Sequence, residues 1–248
     1  MSCVFASDLH LSAGSPDKVD LFDAFMRRSA QTAQALYLLG DVFEIWLGDD
    51  DQSAPNPAVI RTMRQFTDSG ARLFVMCGNR DFLIGANFIK ETGATLLPDW
   101  QIIDLAATPT LLTHGDLLCT KDVEYQAFRQ YVRDPKNQAD FLALPLPERR
   151  QVAAKMRSGT QASTLGKDDF IMDVEQSTVE RVMAEHGVSQ LIHGHTHRPA
   201  THQFKSEGVQ RERIVLGDWY GDACSIIVST DDGLTRMSAA EFVANASE

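Results

Sequence analysis

Five short apolar runs of this 248-residue chain each end in a motif that carries Asp, Asn or His. One of them, the run 37–39, reads as a buried strand, after which Gly40 allows a sharp turn and Asp41 projects from the loop. A carboxylate in this place can bridge two metal ions, because each of its oxygens can face one cation. The other four motifs are Asp8-Leu9-His10, Gly78-Asn79-Arg80-Asp81, His114-Gly115-Asp116 and His193-Gly194-His195-Thr196-His197. We therefore predict that all five motifs meet at one edge of the fold.

Strands and helices alternate along the first half of the sequence. Short apolar runs predict strands at 2–6, 36–39, 72–77 and 111–113. Apolar residues at helical spacing predict helices at 20–35, 59–69 and 84–92. This alternation is typical of an α/β fold, in which ligands bind at the ends of the strands. Further along, we predict a helix at 171–185, a strand at 189–192, and strands at 214–216 and 224–229 in a second sheet.

Residues 117–168 interrupt the alternation, and we predict that they form two or three helices inserted as a cap over the strand ends. The whole chain, 1–248, is then a single domain that contains this cap. A cap of this size has little core of its own, so some of its apolar side chains are expected to face a ligand. The candidates are Phe128, Phe141, Leu142, Leu144 and Leu146.

Composition limits the partners and the compartment. The net charge is -11, which argues against a nucleic-acid partner bound through a broad basic face. The four cysteines form no CxxC pair, which favours reduced, buried thiols in the cytoplasm. We see no signal peptide and no run of ~20 apolar residues, so we expect a soluble protein that at most sits on a membrane surface. The acidic run Asp49-Asp50-Asp51 is predicted to be a solvated loop rather than a metal site.

The chemistry of the five motifs indicates a centre for two divalent cations. Each cation needs about five or six ligands, some of them water, and imidazole, carboxylate and amide oxygen all suit such ions. Asp-x-His and His-x-His place both side chains on the same side of an extended chain, so both can reach one ion. The candidate ligands are Asp8, His10, Asp41, Asn79, His114, His195 and His197.

The order of these motifs, from residue 8 to residue 197, resembles the calcineurin-like metallophosphoesterase superfamily. The resemblance implies a four-layer αββα sandwich of two mixed sheets, with the two-metal site at the strand ends. It implies that one metal is bound by Asp8, His10, Asp41 and His197. It implies that the other is bound by Asp41, Asn79, His114 and His195, with Asp41 as the bridge. Two cations ~3.5–4 Å apart lower the pKa of a bridging water and stabilise an in-line displacement at phosphorus.

The third motif departs from the superfamily pattern, because many members have His where this chain has Arg80. Arginine cannot donate a proton at neutral pH, but its planar fork binds phosphate at two points. Arg80 therefore favours a leaving group that needs no protonation, such as a phosphate monoester that leaves from a diphosphate.

A closer resemblance, over nearly the whole chain, is to the UDP-2,3-diacylglucosamine hydrolases of lipid A biosynthesis. It is carried by Ser7–Leu11, Leu39–Asp51, Gly78–Leu83, His114–Thr120, Tyr125–Arg129 and Ile192–Ala200. The resemblance implies Mn²⁺-dependent water attack on the alpha phosphorus, which gives UMP and 2,3-diacylglucosamine 1-phosphate. It implies the catalytic residues Asp41, Asn79, Arg80, His114 and His195. It implies substrate contacts from Asn79, Arg80, Asp122, Lys167 and His195, and from Thr160 and Thr164, where the family often has Ser and Asn.

The same resemblance implies two Mn²⁺ per chain and a lipid substrate. His and Asp ligands also accept Zn²⁺ or Fe, so the metal stays open at this stage. We expect a cytoplasmic chain that binds the inner membrane of a Gram-negative bacterium peripherally. Basic cap residues are expected to help it dock on anionic lipid, namely Arg149, Arg150, Lys155 and Arg157. No protein partner is implied.

Two alternatives remain open. The first is a metallophosphoesterase that acts on another small diphosphate or phosphodiester. The second is a binding scaffold on the same fold that has lost catalysis. The scaffold is disfavoured because all seven ligand positions are filled.

Overall fold

The computed structural model of the chain describes residues 2–164, 173–220, 224–230 and 233–245, with the backbone alone for 158–164. Its strands are β1 (Cys3–Ala6), β2 (Ala35–Leu39), β3 (Arg72–Met76), β4 (Thr95–Leu97), β5 (Gln101–Leu105), β6 (Thr108–Thr113), β7 (Gln190–His193), β8 (Ala200–Ser206), β9 (Val209–Val215), β10 (Ser225–Thr230) and β11 (Gly233–Ser238). Its α-helices are α1 (Pro16–Thr32), α2 (Asn56–Asp68), α3 (Ala86–Thr92), α4 (Val123–Arg133), α5 (Pro135–Leu142), α6 (Leu146–Thr164), α7 (Gln176–Glu185) and α8 (Ala239–Ala244).

The strands form two mixed sheets. The first has the order β11-β10-β1-β2-β3-β4, in which β1 to β4 are parallel. The second has the order β5-β6-β7-β9-β8, in which β6, β7 and β9 are parallel. Inward-facing residues of both sheets form one apolar cluster, which includes Phe5 and Tyr37 from the first sheet and Leu112 and Ile192 from the second. The sheets therefore pack face to face, and the predicted α/β class with two mixed sheets is confirmed.

Helices cover the outer face of each sheet. Alternate residues of a strand point to opposite faces, and Val4 accordingly belongs to the cluster that contains Phe22 and Phe25 of α1. On the second sheet, Leu191 packs in a cluster with Val179 of α7. The layers run helix, sheet, sheet, helix, and the two central strands of the first sheet, β1 and β2, are buried on both faces. This burial explains why β1 and β2 read as continuous apolar runs.

One strand was predicted in the wrong sheet. Residues 224–229 were expected in the second sheet, but β10 pairs antiparallel with β1 in the first, with Phe5 opposite Ile227. An apolar run shows that a strand is buried, but it does not identify the neighbouring strand. Sequence patterns also missed β4, β5, β8 and β11. Strand β8 is mostly exposed and polar, so it lacks the apolar signal on which the prediction depended. Helix α7 begins at Gln176, and residues 171–172 of the predicted helix lie outside the described residues.

The acidic run 49–51 forms a loop, as predicted, but of its three aspartates only Asp50 is exposed to solvent. The Asp49 carboxylate accepts hydrogen bonds from the backbone N–H groups of Asn87 (2.9 Å) and Phe88 (3.0 Å), which open α3. Asp51 is buried and accepts from the backbone N–H of Ser53 at 3.1 Å. These carboxylates therefore serve the structure of the loop, one of them as a partner for the free N–H groups of a helix start.

Helices α4, α5 and α6 occupy the stretch that was predicted to be a cap. They stand over the loops that follow β2 and β3, with which they enclose a cavity. Over the residues that the structure describes, no helix combines the length and apolar character needed to cross a membrane.

Candidate metal centre

All five polar motifs directly follow strands, namely β1, β2, β3, β6 and β7. Close approach between their loops depends on glycine. A Cβ atom at Gly78 would lie 2.1 Å from Oδ1 of Asp41, and one at Gly194 would lie 2.1 Å from Oγ of Ser7. The edge between the two sheets therefore brings the motifs into contact, as the sequence predicted.

Five of the seven candidate ligands have backbone conformations that non-glycine residues rarely adopt. Their φ angles are positive and lie between 50° and 70°; the residues are Asp8, His10, Asp41, His195 and His197. Such conformations are strained, and they persist only where the surrounding structure enforces them. Strain concentrated on one set of polar residues indicates that their side-chain positions matter for function.

Three side chains converge beside Asp41 to form the first half-site. Nε2 of His10 lies 3.3 Å from Nε2 of His197, which in turn lies 3.2 Å from Oδ1 of Asp8. Oδ2 of Asp41 lies 3.9 Å from Nε2 of His10. Ring nitrogens and carboxylate oxygens thus face one point, as the ligands of a cation do.

A second half-site lies on the other side of Asp41. The Asn79 side-chain oxygen lies 3.1 Å from Nε2 of His114 and 2.9 Å from Nδ1 of His195. Oδ1 of Asp41 lies 3.9 Å from Nε2 of His114. The two oxygens of Asp41 therefore face different half-sites, which is the arrangement that a bridging carboxylate requires.

The electrostatics of the cluster fit a centre for divalent cations. Asp8 and Asp41 are buried, and burial raises the pKa of Asp41, because a carboxylate in a dry site lacks water to stabilise its charge. Burial and the charge of His114 lower the pKa of His195 to about 4, so this ring is neutral at neutral pH, as a metal ligand must be. Possible ligand atoms of Asp8, Asp41 and His114 lie within 4.8 Å of one another. Cations at this position would compensate the buried carboxylates.

His197 differs from His195 because it faces two carboxylates. Although burial opposes its protonation, hydrogen bonds to Asp218 and Asp8 raise the pKa of His197 to about 10. A cation that binds Nε2 must displace a proton there, so binding at the first half-site is expected to weaken as the pH falls.

Neighbouring groups fix the orientation of the candidate ligands, and sequence reasoning missed them. Nδ1 of His10 lies 3.2 Å from Oε2 of Glu44, and Nδ1 of His197 lies 3.0 Å from Oδ2 of Asp218. Although burial opposes its ionisation, the interaction with the neighbouring His10 ring lowers the pKa of Glu44 to about 2. Such carboxylates fix the tautomer of a metal-binding histidine. Glu44 stands three residues after Asp41, and Asp218 follows Gly217 at the end of the predicted strand 214–216, so both had a signal in the sequence that was not used.

Asp81 stabilises the two loops that carry Asp41 and Asn79. Its carboxylate accepts hydrogen bonds from the backbone N–H groups of Gly78 and Val42, each at 2.7 Å. It thereby joins the loop after β3 to the loop after β2. The one histidine of the motifs that is not a candidate ligand, His193, is occupied by other contacts: its Nε2 lies 3.1 Å from the Arg213 guanidinium, and burial with that charge lowers the pKa of His193 to about 3.

A cavity of about 450 Å³ runs from the second half-site under the cap. Asn79 and Arg80 are among the residues that line it, and Arg80 Nε is buried without a hydrogen-bond partner among the described residues. The remaining lining is mostly apolar and includes Trp46, Phe82, Phe128, Phe141, Leu144 and Met156. Of the cap residues predicted to face a ligand, Phe128, Phe141 and Leu144 do line this cavity. Leu142, which is 37% exposed, and Leu146 do not line it.

The predicted substrate contacts differ in what the structure describes. Asn79, Arg80 and His195 lie together at the second half-site. Asp122 caps α4, because its side chain accepts a hydrogen bond from the backbone N–H of Tyr125 at 3.1 Å. The side chains of Thr160 and Thr164, and all of Lys167, lie outside the described residues.

Arg149 contradicts its predicted role on a membrane surface. Only 5% of the residue is exposed, and its Nη1 donates to the Leu47 carbonyl at 2.8 Å while its Nε donates to the Leu144 carbonyl at 2.8 Å. Both terminal nitrogens bind the Asp50 carboxylate, at 2.6 and 2.7 Å. Arg149 therefore joins the cap to the loop after β2, and the expectation that it meets anionic lipid is wrong.

The chain is similar to known proteins over most of its length. The family model of the calcineurin-like phosphoesterases matches residues 1–199. The UDP-2,3-diacylglucosamine hydrolase of Chromohalobacter salexigens is 46% identical over 99% of this chain and 100% of its own length. The enzyme of the same name from Pseudomonas aeruginosa is 48% identical over 88% of this chain and 91% of its own. The structure of an archaeal phosphodiesterase aligns with 96% of this chain and 99% of its own, at 13% identity and a TM-score of 0.48. The chain therefore belongs to the calcineurin-like phosphoesterases and, within them, to the family of the UDP-2,3-diacylglucosamine hydrolases.

Proposed function

We propose that this chain hydrolyses the diphosphate bond of UDP-2,3-diacylglucosamine to give UMP and 2,3-diacylglucosamine 1-phosphate, a step of lipid A biosynthesis. The observation that carries the proposal is the apolar cavity whose lining includes Asn79 and Arg80. A substrate that carries an acyl chain and a diphosphate needs an apolar cavity for the chain and a phosphate-binding residue beside it. Close relatives over nearly the full length carry the name of this activity.

We assign a role to each residue of the centre. Two Mn²⁺ ions, when bound, would supply Lewis-acid stabilisation of phosphoryl charge and activation of water. One ion would be held by Asp8, His10 and His197, and the other by Asn79, His114 and His195. Asp41 would be a ligand of both ions. Arg80 binds the negative charge of the diphosphate through its guanidinium fork. Its own backbone N–H donates to Oδ1 of Asp41 at 2.7 Å, so the phosphate-binding residue and the bridging residue are fixed relative to each other.

The test of the reaction is product analysis by ³¹P NMR with UDP-2,3-diacylglucosamine and Mn²⁺. We expect the diphosphate resonances to be replaced by those of two phosphate monoesters. The same measurement with UDP-N-acetylglucosamine and with a simple phosphodiester provides the control. Equal rates on these would favour the second candidate, a phosphoesterase for another small diphosphate or phosphodiester. Chelation followed by addition of Mn²⁺, Zn²⁺ or Fe²⁺ tests the choice of metal.

Filling the cavity should impair acylated substrates selectively. Ala153 on α6 lines the cavity, whereas Ala154 beside it is exposed. In Ala153→Trp the indole should displace at least two methylene groups of an acyl chain from the cavity, each worth ≈0.8 kcal/mol of burial, so KM should rise at least roughly 10-fold. Ala154→Trp is the matched control and should leave KM unchanged. An unchanged KM in Ala153→Trp would show that the cavity does not bind the acyl chain. An equal rise in KM for a short-acyl substrate would show the same.

We propose that the chain takes its lipid substrate at the cytoplasmic face of the inner membrane, as a peripheral protein. Ile45 and Tyr131 support this, since both line the cavity and are 40% and 57% exposed. Three of the four basic cap residues pair with acidic side chains, namely Arg149 with Asp50, Arg150 with Asp51 and Arg157 with Glu44, and Lys155 is exposed. We therefore expect contact mainly through apolar residues and little salt dependence. Vesicle flotation should recover equal fractions of protein at low and high salt. Loss of vesicle binding at high salt would instead support docking through the charges of the basic residues.

A further inference from the structure

Helix α4 directs a row of polar side chains at two of the five motif loops. Tyr125, Arg129 and Arg133 follow one another at intervals of four residues, so they share one face of the helix. The face that they form is turned towards the ends of β3 and β6 rather than towards solvent, because Arg129 and Arg133 are only 11% and 19% exposed.

Arg133 binds the backbone just before Asn79. Its Nη2 donates to the carbonyl of Gly78 at 2.9 Å and to that of Cys77 at 3.3 Å. These carbonyls belong to the loop after β3, in the first sheet. Because the peptide after Gly78 carries Asn79, the position of this carbonyl sets where the Asn79 side chain lies.

Arg129 and Tyr125 bind the loop after β6, in the second sheet. Nε of Arg129 donates to Oδ2 of Asp116 at 2.7 Å, and the Tyr125 hydroxyl donates to the same oxygen at 2.8 Å. Asp116 is buried and stands two residues after His114. The Tyr125 ring also lies against the His195 ring, with centroids 5.7 Å apart.

Asp99 connects the two arginines. It lies between β4 and β5, where the chain passes from the first sheet to the second. Its Oδ1 lies 3.3 Å from Nη1 of Arg133, and its Oδ2 lies 2.9 Å from Nη2 of Arg129. A continuous series of contacts therefore runs from Gly78 to Asp116 and crosses between the sheets.

The second half-site needs such a connection, since Asn79 comes from the first sheet while His114 and His195 come from the second. We propose that Arg133, together with Arg129 and Asp99, is a positioning residue that sets the separation of Asn79 from His114 and thereby the metal affinity of the second half-site. This inference rests on the two-metal centre of the proposed function. A guanidinium suits the role because it donates in several fixed directions at once, which an ammonium on a flexible stem does not.

The experiment is a calorimetric Mn²⁺ titration of the metal-free full chain and of Arg133→Met. Loss of the groups that orient metal ligands typically weakens affinity about 10–100-fold, so we expect one of the two sites to weaken at least ~10-fold and the other to stay unchanged. Arg133→Lys keeps the charge but loses the fork, and should fall between Arg133→Met and the parent.

Arg149→Met is the matched control. Arg149 also joins the cap to the sandwich by donating to two carbonyls and one Asp. Its partners in the loop after β2, Leu47 and Asp50, lie six and nine residues beyond Asp41, and neither adjoins a candidate ligand in the sequence. We expect it to lower Tm and to leave both Mn²⁺ affinities within about 2-fold of the parent, since it orients no candidate ligand. If Arg133→Met does not fold, Arg133→Lys takes its place in the comparison. Unchanged affinities in a folded Arg133 variant, or an equal loss in Arg149→Met, would overturn the proposal.

The titration contains no substrate, so its outcome is separate from that of the product analysis. A parent chain that binds two Mn²⁺ but does not hydrolyse the lipid would refute the proposed reaction and leave the role of Arg133 to be decided by the affinities. As a second readout, the Mn²⁺ concentration that gives half-maximal activity should rise with Arg133→Met by the same factor as the weakened dissociation constant.

Discussion

Asp41→Ala is expected to lower turnover at least ~10³-fold, because the change removes oxygens that serve both halves of the centre. Oδ2 of Asp41 faces His10 and Oδ1 faces His114, each at 3.9 Å. Without them neither half-site retains its shared anionic ligand. Steady-state kinetics at saturating substrate and Mn²⁺ measures the loss, and calorimetric titration should show weaker binding at both sites.

A control must show that substitution of Asp41 does not prevent folding. Asp41 is a buried carboxylate next to Asp8, and burial raises its pKa, so its charge is unfavourable when no cation compensates it. Asp41→Asn keeps the shape and the oxygen that accepts from the Arg80 backbone. The metal-free Tm of this variant should therefore be no lower than that of the parent, although its turnover falls. Near-normal turnover of Asp41→Ala with Mn²⁺ present would refute the two-metal centre.

The polar motifs could be predicted to meet because each is a local signal tied to a strand end. An apolar run followed by Gly40-Asp41 or by His114 indicates both a buried strand and a loop, and parallel strands bring such loops to one edge. The glycines add information of their own. Gly78 and Gly194 stand where any side chain would collide with a neighbouring motif, so close approach was encoded in the sequence.

What the sequence could not predict depends on pairing between distant segments. The place of β10 beside β1, rather than in the second sheet, follows from which strand it meets, and an apolar run does not encode that. The role of Asp218 likewise needs the histidine that it faces, 21 residues earlier in the sequence. Arg149 looked like a surface charge because its partner Asp50 is about one hundred positions away. Charge patterns within a short window carry no information on such pairs.

Arg80→His is expected to lower turnover ~10²–10³-fold, the usual cost of losing a group that stabilises developing charge. The substitution restores the histidine found in many phosphoesterases of this superfamily. It nevertheless removes a permanently charged fork that lines the cavity and whose Nε is buried and without a partner among the described residues. Arg80→Lys serves as the control: it keeps the charge but not the fork, so its turnover should lie between the two.

The reason for this expectation is the direction of water attack. Attack on the phosphorus nearer uridine releases an acylated sugar phosphate, which is stable as an anion and needs no proton from the protein. Arginine suits such a reaction because it neutralises charge and does not act as an acid. In ¹⁸O-labelled water, mass spectrometry should find the label in UMP and none in the lipid phosphate. Label in the lipid phosphate would place the attack on the other phosphorus. Full activity of Arg80→His would show that the reaction does not require the permanently charged fork, and either result would overturn the role assigned to Arg80.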